Sequence, residues 1–263
     1  MSASGSGSAL EASRDAYSEA LVEAAHHKEA ALVRWLRERS SVVVGFSGGV
    51  DSAYLAAVAV QALGAERVTA VIGRSPSYPE EQWAAARAVA TRVGLRVLEI
   101  DTNEMSDPRY AANPTNRCYY CKTELWTRLR EIARGLGIET VIDGTNADDL
   151  SDHRPGARAA AEHEVRSPLA ELGFTKMEIR QLSRDRDLPT WSQPSSPCLS
   201  SRLPYGTPVT RERLEQVERA ERALRALGIT GDLRVRHHGD LARVELARAE
   251  LARWLAADRM RVL

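Results

Sequence analysis

The chain has 263 residues, 43% of them hydrophobic and 27% charged, enough for one sizeable core or for a main domain of roughly 200 residues with a small companion. Lys plus Arg equals Asp plus Glu at 36 each, so the net charge is zero and nothing suggests a protein built to grip a nucleic-acid backbone. No run approaches the roughly 18 consecutive apolar residues of a membrane span, and the small, polar start at residues 1–8 lacks the features of a secretory signal, so a cytoplasmic location is expected.

Residues 1–9 read as a disordered tail. Residues 10–39 read as a helix, with Leu21, Ala24, Ala25, Leu32 and Leu36 at apolar positions among charges. A β-branched run at 41–46 then predicts a buried parallel strand. It leads straight into Ser47-Gly48-Gly49-Val50-Asp51-Ser52 and an Ala-rich helix to residue 63. The alternation continues with strand at 67–72, helix at 79–93 opening on Pro79, strand at 96–100, helix at 122–136 and strand at 140–143. This order predicts an α/β fold, a parallel sheet with helices on both faces. Residues 150–194 read as charged helix with a capping box at Thr175 and Glu178, and 193–208 as a Pro/Ser-rich loop or linker. Helix at 210–227, strands at 233–237 and 241–246, and helix at 248–257 predict a small C-terminal α+β module, so domains are expected at 10–205 and 206–263. No internal repeat is visible. The strand-like end at Leu263 leaves room for a longer natural chain.

The glycine loop at 47–52 carries the most chemistry. It follows the first strand, where open α/β sheets bind ligands. Gly48 and Gly49 let the backbone approach an anion, and the helix start at Val50 offers unpaired N–H groups and a positive dipole end. Ser47 and Ser52 add hydroxyls, and Asp51 suits a Mg²⁺ bridging phosphates. The loop has neither a Walker ending nor a dinucleotide fingerprint. It resembles the PP-loop of the ATP-pyrophosphatase (adenine nucleotide α-hydrolase-like) superfamily. That resemblance implies cleavage of ATP between its α- and β-phosphates, and adenine met by the second strand end, with Ile72 and Ser75 as candidates. A polar loop at 143–149, including Asn146, follows the fourth strand at the same rim; it suits nucleotide phosphate or metal, or a capping turn.

Cysteine occurs three times, as Cys118 and Cys121 in a C-x-x-C and as Cys198. An odd count argues against a disulfide framework. A redox pair, a zinc half-site and iron–sulfur ligands remain open, with His153 or His163 as unsupported fourth zinc ligands. Each cysteine lies near Arg or Lys, where a thiolate is favoured.

NRCYYCK, DGTNADD, Asp152-His153-Arg154-Pro155-Gly156, SPCLSSR-LPYG and Leu233-Arg-Val-Arg-His237 occur in order with the glycine loop. Together they resemble the LarE family, ATP-dependent sulfur transferases of nickel-pincer nucleotide synthesis. The resemblance implies adenylation of a carboxylate of pyridinium-3,5-biscarboxylic acid mononucleotide and its conversion to a thiocarboxylate. It further implies ATP and Mg²⁺, a homo-hexamer, and a 4Fe–4S cluster held by Cys118, Cys121 and Cys198 that donates sulfide, the alternative being sacrifice of the Cys198 sulfur. Lys122 is a candidate for stabilising the adenylate, Arg202, Arg234 and Arg236 for the substrate phosphate, and Asp152 and Arg154 for the substrate pocket. Rival readings are a tRNA-thiolating PP-loop enzyme, an amide-forming ligase such as NAD or GMP synthetase, and a non-catalytic nucleotide-binding protein with structural zinc.

Overall fold

Three consecutive valines, Val42, Val43 and Val44, share the extended strand as their preferred backbone, and in the computed structural model of the protein they are fully buried at its centre. The structure describes residues 6–151 and 155–256. In chain order the elements are α1 (Ser6–Arg37), β1 (Val42–Gly45), α2 (Val50–Leu63), β2 (Val68–Arg74), α3 (Glu80–Arg92), β3 (Arg96–Asp101), α4 (Pro108–Ala111) and α5 (Arg117–Gly135). There follow β4 (Thr140–Ile142), α6 (Pro155–Glu162), α7 (Pro168–Glu171), α8 (Lys176–Asp185), α9 (Arg211–Ala226), β5 (Leu233–His238), β6 (Leu241–Leu246) and α10 (Arg248–Ala256).

β1 to β4 form one parallel sheet in the order β3-β2-β1-β4, with Val42 opposite Val68 on one side and Thr140 on the other. The fold is the expected adenine nucleotide α-hydrolase-like one. Alternation along the strands feeds two cores. Val42, Val44, Val68, Ala70, Ile72 and Ile142 pack with α1, α2, α3 and α8, whereas Val43, Val71 and Val141 pack with Trp126, Leu129 and Ala133 of α5 and Ala159 of α6. Each fully buried aliphatic chain contributes about 1.5–3 kcal/mol relative to exposure. Beyond the sheet, Tyr110, Leu199, Leu203, Leu214 and Val217 make a third core, and Leu224, Ile229, Leu233, Val235 and Trp254 a fourth beneath the antiparallel pair β5–β6. α9 contributes to both, so the 205/206 division expected from sequence falls just ahead of a helix that serves two cores.

Two boundaries differ from expectation. α1 starts at Ser6, so residues 6–9, expected as tail, extend the helix. α5 starts at Arg117 and not at Lys122; Cys118 and Cys121 therefore lie within its first turns, on one face at i, i+3 spacing. The charge-rich NRCYYCK run hides the helical period that begins there. Among the described residues, no helix is long and apolar enough to cross a membrane.

The strand order reverses at β1, and the glycine loop leaves its carboxyl end at that switch point. Gly48 takes φ +68°, and a Cβ there would stand 2.3 Å from the Cβ of Ala86 on α3. Both conditions exclude a side chain. Gly48→Ala should therefore destabilise the protein by at least about 2 kcal/mol, combining backbone strain with overpacking, as read from the midpoint of urea unfolding.

Candidate active site

The loop after β1 is held from outside. The Ser47 carbonyl accepts from the Tyr78 hydroxyl at 2.9 Å and from Gln82 Nε2 at 3.0 Å, which leaves its other side to face the site. The Ser47 and Ser52 hydroxyls meet at 3.2 Å, and Ser52 also donates to the Gly49 carbonyl at 3.2 Å. Gly49 caps α2 with no side-chain hydrogen bond, so the first-turn amides at Val50, Asp51 and Ser52 keep the positive end that an anion needs. Gly144 closes the rim: a Cβ there would lie 2.8 Å from the Ser52 nitrogen. Ile72 is buried with its side chain in the core, leaving only backbone for a ligand, and the Ser75 hydroxyl pairs with that of Ser77 at 2.8 Å.

Asp51 is engaged on both oxygens. Oδ1 accepts from Asn146 Nδ2 at 3.3 Å and Oδ2 from Lys176 Nζ at 2.5 Å. Asn146, expected on nucleotide phosphate, is buried; its Oδ1 accepts from the amides of Asp148 and Asp149, so its visible task is to hold Asp51 and its own turn. Lys176 was not singled out in the sequence. Its signal was there: a lysine in the first turn of α8 opposes the helix dipole and calls for an anionic partner. The capping box of Thr175 and Glu178 fixes that turn, and Lys28 of α1 braces it through the Gly173 carbonyl at 2.7 Å and the Glu178 carboxylate at 2.7 and 2.9 Å. Hard oxygens from Asp51 and the two serine hydroxyls fit Mg²⁺ chemically and would be the residues to hold it.

The loop carrying Cys198 is tied to the same neighbourhood. The Leu199 amide donates to the Ser77 carbonyl at 2.8 Å, one residue from the tyrosine that holds Ser47. Cys118 is exposed, whereas Cys121 and Cys198 are half-buried. Cys198 raises the Cys121 thiol, and both thiols feel Cys118, which brings all three into one electrostatic neighbourhood. At Cys121 and Cys198 the thiolate expected from nearby cations is not favoured. Burial is the largest influence on both: it pushes the Cys121 thiol up, with the Glu104 carboxylate adding to it, and it raises Cys198 against the opposing pull of Arg117 and Arg202. Among the described residues, no three cysteine, histidine or carboxylate side chains converge to ligate a metal. Lys122 lies with Nζ 4.7 Å from the Trp126 ring centroid, its stem against Gly156.

The three candidate arginines differ. Arg202, only 4% exposed, does not point a free guanidinium at solvent. It grips Glu221 through Nε at 2.9 Å and Nη2 at 3.1 Å, and its Nη1 donates to the Pro197 carbonyl at 2.6 Å and that of Cys198 at 3.3 Å. It is a strut for the cysteine loop, and its donors are engaged within the protein. Arg236 donates to Glu245 at 2.9 Å and to the Ser201 carbonyl at 2.8 Å. Arg234, half-buried on the same side of β5, has no hydrogen bond or ion pair among the described residues. Glu221 also accepts from the Val235 amide at 2.9 Å, coupling β5 to the cysteine loop. Asp152, His153 and Arg154 lie outside the described residues.

A glycine loop at the switch point of a parallel sheet, with an acidic and a basic side chain at its mouth, defines a nucleotide-binding protein of the PP-loop class. Residues 30–134 match the NAD synthase family model. A pyridinium-3,5-bisthiocarboxylic acid mononucleotide synthase of Lactiplantibacillus plantarum is 37% identical over 87% of this chain and 82% of its own. An uncharacterized protein of Synechocystis sp. is 46% identical over 82% of this chain and 80% of its own. An NH(3)-dependent NAD(+) synthetase of Chlorobaculum tepidum is 35% identical, over 33% of each chain. The chain belongs to the LarE family of enzymes, that of the Lactiplantibacillus synthase.

Two outcomes are expected. Lys176→Met should weaken Mg²⁺-dependent ATP binding by roughly 10- to 100-fold, the scale of a lost charge-assisted contact, measured by calorimetric titration. In the metal-free protein at pH 7.5, a thiol reagent should label Cys118 first. Cys121 and Cys198 should gain speed only as pH rises toward their raised pKa values, because the thiolate is the reactive form; site-resolved mass spectrometry reads the order.

Proposed function

We propose that the protein is an ATP-dependent sulfurtransferase acting on a pyridinium biscarboxylate mononucleotide. A substrate carboxylate oxygen attacks the α-phosphorus of ATP; the new P–O bond forms as the bond to pyrophosphate breaks, giving the acyl adenylate. Sulfur then attacks the carbonyl carbon, a C–S bond forms, and AMP leaves with the C–O electron pair, so a thiocarboxylate results. The observation that carries this reading is the shared anchor of the two loops: adjacent residues Ser77 and Tyr78 hold the Cys198 loop and the phosphate loop respectively. The product named for the Lactiplantibacillus relative, a bisthiocarboxylic acid mononucleotide, supports it.

The first-turn amides of α2, Ser47, Ser52 and Lys176 receive the pyrophosphate charge, with Asp51 placed for Mg²⁺. Lys122 is the candidate for the adenylate. Arg234, whose guanidinium has no hydrogen bond or ion pair among the described residues, and Arg236 beside it receive the substrate phosphate. Cys118, Cys121 and Cys198 would hold a 4Fe–4S cluster, which when bound supplies the sulfide. Burial keeps the thiols of Cys121 and Cys198 protonated, so ligation must be coupled to proton release.

Anaerobic turnover with ATP, with iron, sulfide and product assayed, tests the reading. Cys198→Ser should keep pyrophosphate release within about threefold of wild type while thiocarboxylate falls at least about tenfold. Loss of one H₂S from Cys198 after turnover, with no iron bound, would replace the cluster by sacrifice of that sulfur. Arg234→Ala should raise KM for the mononucleotide by roughly 10- to 100-fold and leave that for ATP unchanged. Product formed equally by a variant lacking all three cysteines would sink the reading.

A further inference from the structure

Glu104 is a buried carboxylate that none of the preceding chemistry uses. It sits in a single helical turn between β3 and α4, 2% exposed, with Oε1 accepting from the Ser77 hydroxyl at 3.2 Å. Its Oε2 is buried with no hydrogen-bond partner among the described residues. Leaving a charged oxygen unsatisfied in an interior is costly, and such a group is retained only where something else requires the side chain.

Its hydrogen-bond partner among the described residues, Ser77, identifies the requirement. Ser77 is the node of the region: its hydroxyl meets Ser75 at the end of β2, and its carbonyl accepts from the Leu199 amide beside Cys198. Tyr110, whose hydroxyl meets that of Ser200 at 2.7 Å, closes the far side, and Arg117 donates to the Ser200 carbonyl at 3.1 Å. Without Glu104 the Ser77 hydroxyl keeps Ser75 and the neighbouring Tyr110 hydroxyl, and the segment from which the cysteine loop hangs loses its link to the turn between β3 and α4.

We propose that Glu104 is a positioning residue for sulfur transfer: by fixing Ser77 it sets the register of the Cys198 loop against the nucleotide-binding strand end. The proposal rests on the reading above, and it separates the two half-reactions. Adenylation uses the phosphate loop, whose own anchors at Tyr78 and Gln82 do not pass through Glu104. Sulfur delivery needs Cys198 at the adenylate carbonyl.

Glu104→Ala and Glu104→Gln test it, the second keeping an acceptor oxygen for Ser77. In Glu104→Ala, pyrophosphate release should stay within about threefold of wild type and thiocarboxylate per adenylate should fall at least about tenfold, with Glu104→Gln recovering most of it. Independently of activity, amide hydrogen exchange in the peptide spanning 196–203 should quicken by about tenfold or more in the alanine variant, not in the glutamine variant, and not in the peptide spanning 44–52. Equal loss of both half-reactions, or unchanged exchange at 196–203, overturns the proposal. Wild-type protein that releases pyrophosphate without making thiocarboxylate would instead overturn the functional reading, and the exchange measurement would still decide the role of Glu104.

Discussion

Contact between α3 and the phosphate loop is the constraint on which the site depends. Ala86 comes so close to Gly48 that a methyl group has no room, and from the first turns of the same helix and the segment before it Gln82 and Tyr78 reach the Ser47 carbonyl. The loop therefore does not rely on a ligand to hold its shape. Preorganised amides cost nothing to orient when a phosphate arrives, whereas a floppy glycine loop would lose much of its binding free energy to ordering. Gly144 supports it from the opposite side by letting the β4 loop lie against the Asp51–Ser52 backbone.

Charge beside the phosphate loop is arranged as a chain. Lys28 braces Glu178, Glu178 fixes Thr175, and the turn so formed delivers Lys176 to Asp51. Helix α1, distant from the loop in sequence, thus contributes to the same pole of the site. The cysteine region follows the opposite logic. Arg117 and Arg202 are each 4% exposed and lie near Cys198, yet burial outweighs their field and the thiol stays up. A protonated, half-buried thiol is a poor nucleophile and a stable resting state, so activation must come from something that takes the proton away.

The sheet and its loops were legible in the sequence because their signals are local. Val42 to Val44 can only be strand, and Gly48, Gly49 and Asp51 sit where the chain must turn toward an anion. Thr175 and Glu178 announced their cap, which the structure bears out. What sequence could not show depends on partners remote in the chain. Arg202 reads as a phosphate ligand because guanidinium suits one, and its contact with Glu221, 19 residues on, is invisible in the sequence. At Cys121 and Cys198 the thiolate expectation meets the same obstacle: proximity of a cation is visible in sequence and burial is not. Lys176 and Glu104 were missed because their meaning lies in Asp51 and Ser77, far away along the chain.

Glu221 has one more consequence. By accepting from both the Val235 amide and Arg202, and with Arg236 fastened to the Ser201 carbonyl, it welds the arginine-bearing strand to the loop that carries Cys198. The gap from guanidinium to sulfur is then a fixed span, like the jaws of a calliper. Under the proposed function, a substrate held by its phosphate at one jaw would present to the other only the group lying at that separation, and the scaffold would select which end of an elongated molecule meets the sulfur.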